Sequence, residues 1–114
     1  MKTLLLTLLF TSSLSHSFEM AINDTQIAPM ATIYYTKDGA KIRQSGTLYL
    51  LGQYFAKFTQ EPTIYTVIKR KNADRLLAQG KIQSLCYMTP QWLKFKENQV
   101  VFSKPFMVNR ERLI

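Results

Sequence analysis

Two six-residue runs, FEMAIN at residues 18–23 and TIYTVI at residues 63–68, constrain this chain most, because each is followed by a helical pattern and then by another strand-like run. FEMAIN alternates large apolar and other residues, and TIYTVI is rich in β-branched residues; both read as strands. Between them Leu48, Leu51, Tyr54, Phe55 and Phe58 recur at spacings of three and four, which puts them on one helical face. Ser45-Gly46-Thr47 supplies capping residues ahead of that helix, and Pro62 stands beyond its end. Further on, Asn72 can cap a second helix containing Ala73, Leu76 and Leu77, which Gly80 stops, and IQSLCY at residues 82–87 reads as a third strand. This order predicts an α/β fold: a mainly parallel sheet flanked by helices and joined by right-handed crossovers.

Smaller elements fill the gaps. Pro29 punctuates a loop over residues 24–29, and residues 31–36 (ATIYYT) and 40–43 form a predicted hairpin through the turn signal Asp38-Gly39. Residues 90–96 read as a short helix with proline in its first turn, residues 99–102 as a further strand, and residues 106–108 as an extended tail. In parallel sheets ligands gather beyond the carboxyl ends of the strands. That rule places the loops at residues 24–30, 43–47 and 88–92 on the candidate binding edge.

Residues 1–17 carry an early positive charge at Lys2, an apolar run from Leu4 to Phe10 and small polar residues ending Ser15-His16-Ser17. This is the grammar of a cleavable secretory signal peptide, with the cut expected after Ser17. The run is far shorter than the roughly 20 residues that span a bilayer, so no stable membrane insertion is expected after cleavage. Residues 18–114, the remaining 97, have lost Lys2 and the only histidine and carry a net charge of +7. They suffice for one small domain. The single cysteine, Cys86, allows no internal disulfide, so the core must come from ordinary apolar packing.

The catalytic inventory is thin. Without a histidine in residues 18–114, histidine-activated nucleophiles and histidine-rich metal sites are excluded from that part. No glycine-rich phosphate loop is present, and the acidic residues are dispersed. The reading is of a non-enzyme with no cofactor, no metal and no catalytic residues. Positive charges are scattered apart from Lys69-Arg70-Lys71, a triplet that reads as a solvated turn, so nucleic acid is not an expected partner. Cys86, between Leu85 and Tyr87, reads as a buried small hydrophobe, and Trp92 as either a stacking surface at a cleft or a cap on the sheet.

Several stretches in this order resemble the N-terminal part of bacterial extracellular solute-binding proteins of family 3, the periplasmic receptors of polar amino-acid ABC transporters. They are the signal peptide, AINDTQIAP, the Asp-Gly hairpin with Ser45-Gly46 and an apolar helix, RLLAQGKI at residues 75–82, MTP at 88–90 and VFSKPF at 101–106. The resemblance implies the first lobe of a type II periplasmic-binding-protein-like fold, located in the periplasm, that binds a small polar solute, an amino acid among the candidates, for uptake through an ABC permease. It places Thr25, Gln26, Ser45, Met88, Thr89 and Trp92 near the ligand. Thr89 would donate a hydrogen bond, Trp92 would stack, and Ser45 would present its hydroxyl at a helix N-terminus. Trp92 stands where the family usually has the arginine that clamps the ligand's carboxylate, and Gln83 where it has an acidic residue. A divergent subgroup therefore fits better than a standard amino-acid receptor. The resemblance spans residues 18–114 but less than half of a two-lobed receptor, which implies an incomplete lobe, truncated or split from a second lobe as partner. Two other readings stand beside it: a stand-alone exported interaction module of the cell envelope, and a non-functional gene remnant.

Overall fold

The computed structural model describes residues 16–86, 88–92, 100–108, 110, 112 and 113. Strand β1 (Phe18–Asn23) comes first, then a hairpin of β2 (Ile33–Thr36) and β3 (Gly39–Ile42). Helix α1 (Thr47–Thr59), strand β4 (Thr63–Ile68), helix α2 (Arg70–Ala78) and strand β5 (Ser84–Leu85) follow, and a 3₁₀ turn, Pro90–Trp92, is the last regular element among the described residues.

The main sheet is parallel and ordered β4-β1-β5, as the strand and helix succession predicts. β1 pairs with β4 over its whole length, from Phe18 opposite Thr63 to Asn23 opposite Ile68. The chain therefore steps from β1 to one side, then back across β1 to the other. Right-handed crossovers in opposite directions put their helices on opposite faces of a sheet, and the packing follows that rule. Ala21 clusters with Ile68, Ala73 and Ile82 against Leu76 and Leu77 of α2, while its neighbour Ile22 clusters with Ala31 and Leu48 against Met30, Ile42 and Tyr65. Covered on both sides, β1 is buried from Met20 to Asn23, as the central strand of a parallel sheet must be.

The hairpin forms a separate two-stranded sheet, two residues narrower at its start than the run 31–36 suggests, because Ala31 is buried against Ile22 and Leu48 instead of pairing. Its turn is closed by Thr36, whose Oγ1 accepts from the Asp38 amide and donates to the Gly39 carbonyl, both at 3.2 Å. Gly39 has φ 110°, a conformation that glycine adopts without a Cβ penalty.

Helix α1 corrects the predicted face. Leu48 is buried and Leu51 and Phe55 are half-buried, but Tyr54 and Phe58 are 72% and 90% exposed. The inward stripe runs instead through Gly52, which is buried against the Tyr65 ring. The Tyr65 hydroxyl donates to the Tyr49 carbonyl at 2.6 Å, Thr63 Oγ1 donates to the Gly52 carbonyl at 2.6 Å, and Gln53 Nε2 donates to the Tyr65 hydroxyl at 3.0 Å. A glycine adds nothing to an apolar pattern, so periodicity cannot reveal it as the contact point.

Helix α2 begins earlier than Asn72. Its N-cap is Lys69, so Arg70 and Lys71 of the basic triplet lie in the first turn and not in a preceding loop. Asn72 donates its amide to the Lys69 carbonyl, and the amide of Arg70 donates to Asp24 Oδ1 at 3.4 Å, a capping contact from the far end of β1. The helix ends at Ala78, and Gly80, φ 67°, stops it just beyond, where the Gly80 and Lys81 amides donate to the Leu77 and Leu76 carbonyls.

The third strand is shorter than residues 82–87. Only Ser84 and Leu85 pair, opposite Met20 and Ala21, and Tyr87 lies outside the described residues. Side chains replace the rest of the ladder: the Glu19 amide donates to Gln83 Oε1 and the Ser84 hydroxyl donates to the Glu19 carbonyl, both at 2.7 Å. Of the helix expected over 90–96, residues 90–92 form a 3₁₀ turn and residues 93–96 lie outside the described residues. Of the strand expected over 99–102, Gln99 lies outside the described residues and residues 100–102 are not paired in a strand, and residues 106–108 carry no regular structure. Among the described residues no helix is long and apolar enough to cross a membrane.

Candidate functional site

The carboxyl edge of the sheet is where the candidate site is built. Asp24 leaves β1 with its amide donating to the Ile68 carbonyl at 2.8 Å, and the Gln26 amide turns back onto the Asn23 carbonyl at 3.1 Å. The loop passes a cis Ala28–Pro29 bond and is then tied to the start of α1. Thr47 donates to the Pro29 carbonyl through its amide at 2.9 Å and its hydroxyl at 3.3 Å, and the Leu48 amide donates to the Met30 carbonyl at 3.0 Å. Gly46 permits this seam: φ is 98°, and a Cβ there would stand 2.8 Å from the Met30 carbonyl oxygen. The loops at residues 24–30 and 43–47 thus form one unit.

The strand that leads into the third loop reaches the same core. Cys86, at the end of β5, packs against the cluster of Ile22, Ala31 and Leu48, together with Met30. Burial pushes the Cys86 thiol from its ordinary 9.0 up to about 11, so it stays protonated at neutral pH and has little nucleophile character. In order β4-β1-β5 the chain reverses direction between β1 and β5, the topological switch point at which ligands bind in open α/β sheets.

At that point stands Asn23. It is the last residue of β1, 1% exposed, and among the described residues neither its carboxamide oxygen nor its nitrogen has a hydrogen-bond partner. A carboxamide can donate two hydrogen bonds and accept two. Leaving it buried and unsatisfied costs about 1–3 kcal/mol. Sequence reasoning passed over it as the end of a strand; the available signal was a polar residue closing a strand whose preceding three residues are apolar.

The expected site residues distribute as follows. Thr25 is exposed and Gln26 half-buried on the loop after β1, beside Asn23. Ser45 is exposed just before the N-cap, Gly46, and α1 has no side-chain cap. The first-turn amides of Thr47 and Leu48 already donate to Pro29 and Met30, so that helix end holds the loop more than it offers free donors. Met88 and Thr89 are half-buried after β5; the Thr89 hydroxyl donates to Gln91 Oε1, and Met88 turns toward a cavity on the outer side of β5. Trp92 ends the 3₁₀ turn. Among the described residues no group of histidine, cysteine, aspartate and glutamate could hold a metal ion. Comparison with models of known families, with curated proteins and with solved structures found no match. The fold itself is a small α/β domain with a parallel three-stranded sheet and a helix on each face.

Proposed function

We propose that this chain is a solute-binding lobe of the family 3, type II periplasmic kind, which holds a small polar solute at the carboxyl edge of its sheet without transforming it. The observation that carries the reading is the buried carboxamide of Asn23 at the switch point, without a partner among the described residues and at the head of the loop that the fold ties to residues 43–47. A binding protein gains from a polar group that is desolvated before the ligand arrives, because the ligand then supplies the missing hydrogen bonds. Thr25 and Gln26 beside it, Ser45 at the seam, and Met88, Thr89 and Trp92 after β5 are the proposed contacts. A neutral thiol at Cys86 and the absence of histidine from residues 18–114 fit binding without chemistry.

The proposal includes a periplasmic location, delivery to an ABC permease, and a second lobe that covers the ligand from the other side. Burial from both sides is what hinge closure achieves in two-lobed receptors. One lobe alone therefore binds weakly, with Kd on the order of millimolar, about −4 kcal/mol. Amide chemical shifts of the chain, titrated with a panel of amino acids and small carboxylic acids, test this. At least one member is expected to move residues 23–26, 45–48 and 86–89 together; a panel that moves none of them contradicts the reading.

A further inference from the structure

Helix α1 keeps an apolar ridge on its outward face. Leu50, Tyr54 and Phe58 follow one another at spacings of four and are 56%, 72% and 90% exposed. Aromatic side chains carry about 150–250 Å² each, so the ridge leaves roughly 400 Å² of contiguous apolar surface in water, within the size range of patches that serve binding. It lies away from the stripe that packs inward through Leu48 and Gly52. Its charge is low. Lys57 is the only charged residue of Thr47–Thr59, and Glu61 follows four residues later, so the formal net charge of +8 sits elsewhere on the chain.

We infer that this ridge packs on the same ridge of a second copy, forming a symmetric dimer in which the two α1 helices cross near Tyr54. A row at spacing four is the ridge that interdigitates when two helices pack at about −50°, the commonest class of helix pair. A two-fold axis beside its middle residue lets one row serve both copies. Two such ridges, with the flanking Gln53 and the Lys57 stem, bury about 1,000 Å², the area at which a specific but weak interface begins. A membrane surface or an acidic partner would call for several cations beside the apolar row, and α1 offers Lys57 alone. Repulsion between two positive chains keeps the dimer weak without charging its centre. This inference stands apart from the solute reading, because the ridge faces outward from α1 while Asn23 is buried at the end of β1.

Sedimentation equilibrium of the whole chain is expected to show monomer and dimer in exchange, with half the chain associated near about 100 μM. Added salt is expected to tighten the dimer, because screening removes the repulsion between like-charged chains, whereas it would loosen a contact between opposite charges. Tyr54→Lys is expected to weaken association at least about tenfold, with the thermal melt of the dilute monomer unchanged, since Tyr54 is exposed. Tyr54→Cys in a Cys86→Ala background is expected to give a disulfide-linked dimer under oxidising conditions, and Tyr35→Cys, comparably exposed on the hairpin, is not. A chain that stays monomeric up to about 1 mM, a dimer that Tyr54→Lys leaves intact, or linkage through Tyr35→Cys in place of Tyr54→Cys would each overturn the inference. So would a monomer that the ridge carries onto phosphatidylcholine vesicles, since the occupant would then be lipid.

Discussion

A buried carboxamide with no partner is a local defect unless something else completes it, and Asn23 separates these two cases. Asn23→Leu keeps the volume close to constant and removes the unsatisfied polar atoms, so the domain should become more stable by about 1 kcal/mol. For a domain of this size that is a rise in Tm of about 4–8 °C. Solute binding should be lost in the same variant. Destabilisation on this change would mean that Asn23 is already satisfied in solution and would remove the main support for the site. Gly52 makes the opposite case, of a small residue that is fully used. A Cβ there would fall 2.6 Å from two Tyr65 ring atoms, and the ring is held by its hydrogen bond to Tyr49 and by the Tyr49 ring, 5.3 Å away between centroids. Gly52→Ala gains about 1 kcal/mol of helix propensity but overpacks this contact at about 1–3 kcal/mol. A net loss is expected in urea denaturation, and a stabilised variant would show that Tyr65 can swing aside.

At the scale of elements, the ends of β5 and α1 meet around Cys86, and their packing should be visible as a pH dependence. The folded thiol keeps its proton up to about pH 11, whereas an unfolded one loses it near 9.0. Between those values the folded state binds more protons, so stability falls as pH rises across the window. Tyr65 adds to the fall at the alkaline end. Its hydroxyl is raised by burial, lowered by the bond from Gln53, and raised by Tyr49. Denaturation midpoints measured from pH 9 to 11 should drop, and Cys86→Ala should flatten the slope. A slope identical in the variant would place the titration elsewhere.

Elements whose own residues carry their signal were legible in the chain: β1 and β4 match their runs residue for residue, and Asp38-Gly39 marks the hairpin turn. Elements defined by a neighbour were not. The start of α2 is set by Lys69 and by Asp24 from the loop after β1, and β5 is cut short because Gln83 and Ser84 use side chains on Glu19. The candidate site divides the same way. Its three loops follow from strand order, but Asn23 stands out only once its burial and its missing partners are known.

On the scale of the whole molecule, one sheet carries two separate openings. Among the described residues, the carboxyl edge holds a polar group without a partner and the flank of β5 holds an apolar groove without a strand. The exposed stripe of Leu50, Tyr54 and Phe58 on α1 belongs to neither opening. The central claim is that solute binds at Asn23, and it is tested most directly by titrating the wild-type chain and Asn23→Leu side by side with the same panel while following amide shifts. The account predicts shifts at residues 23–26, 45–48 and 86–89 in the wild type and none in the folded variant; equal shifts in both, or none in either, would contradict it.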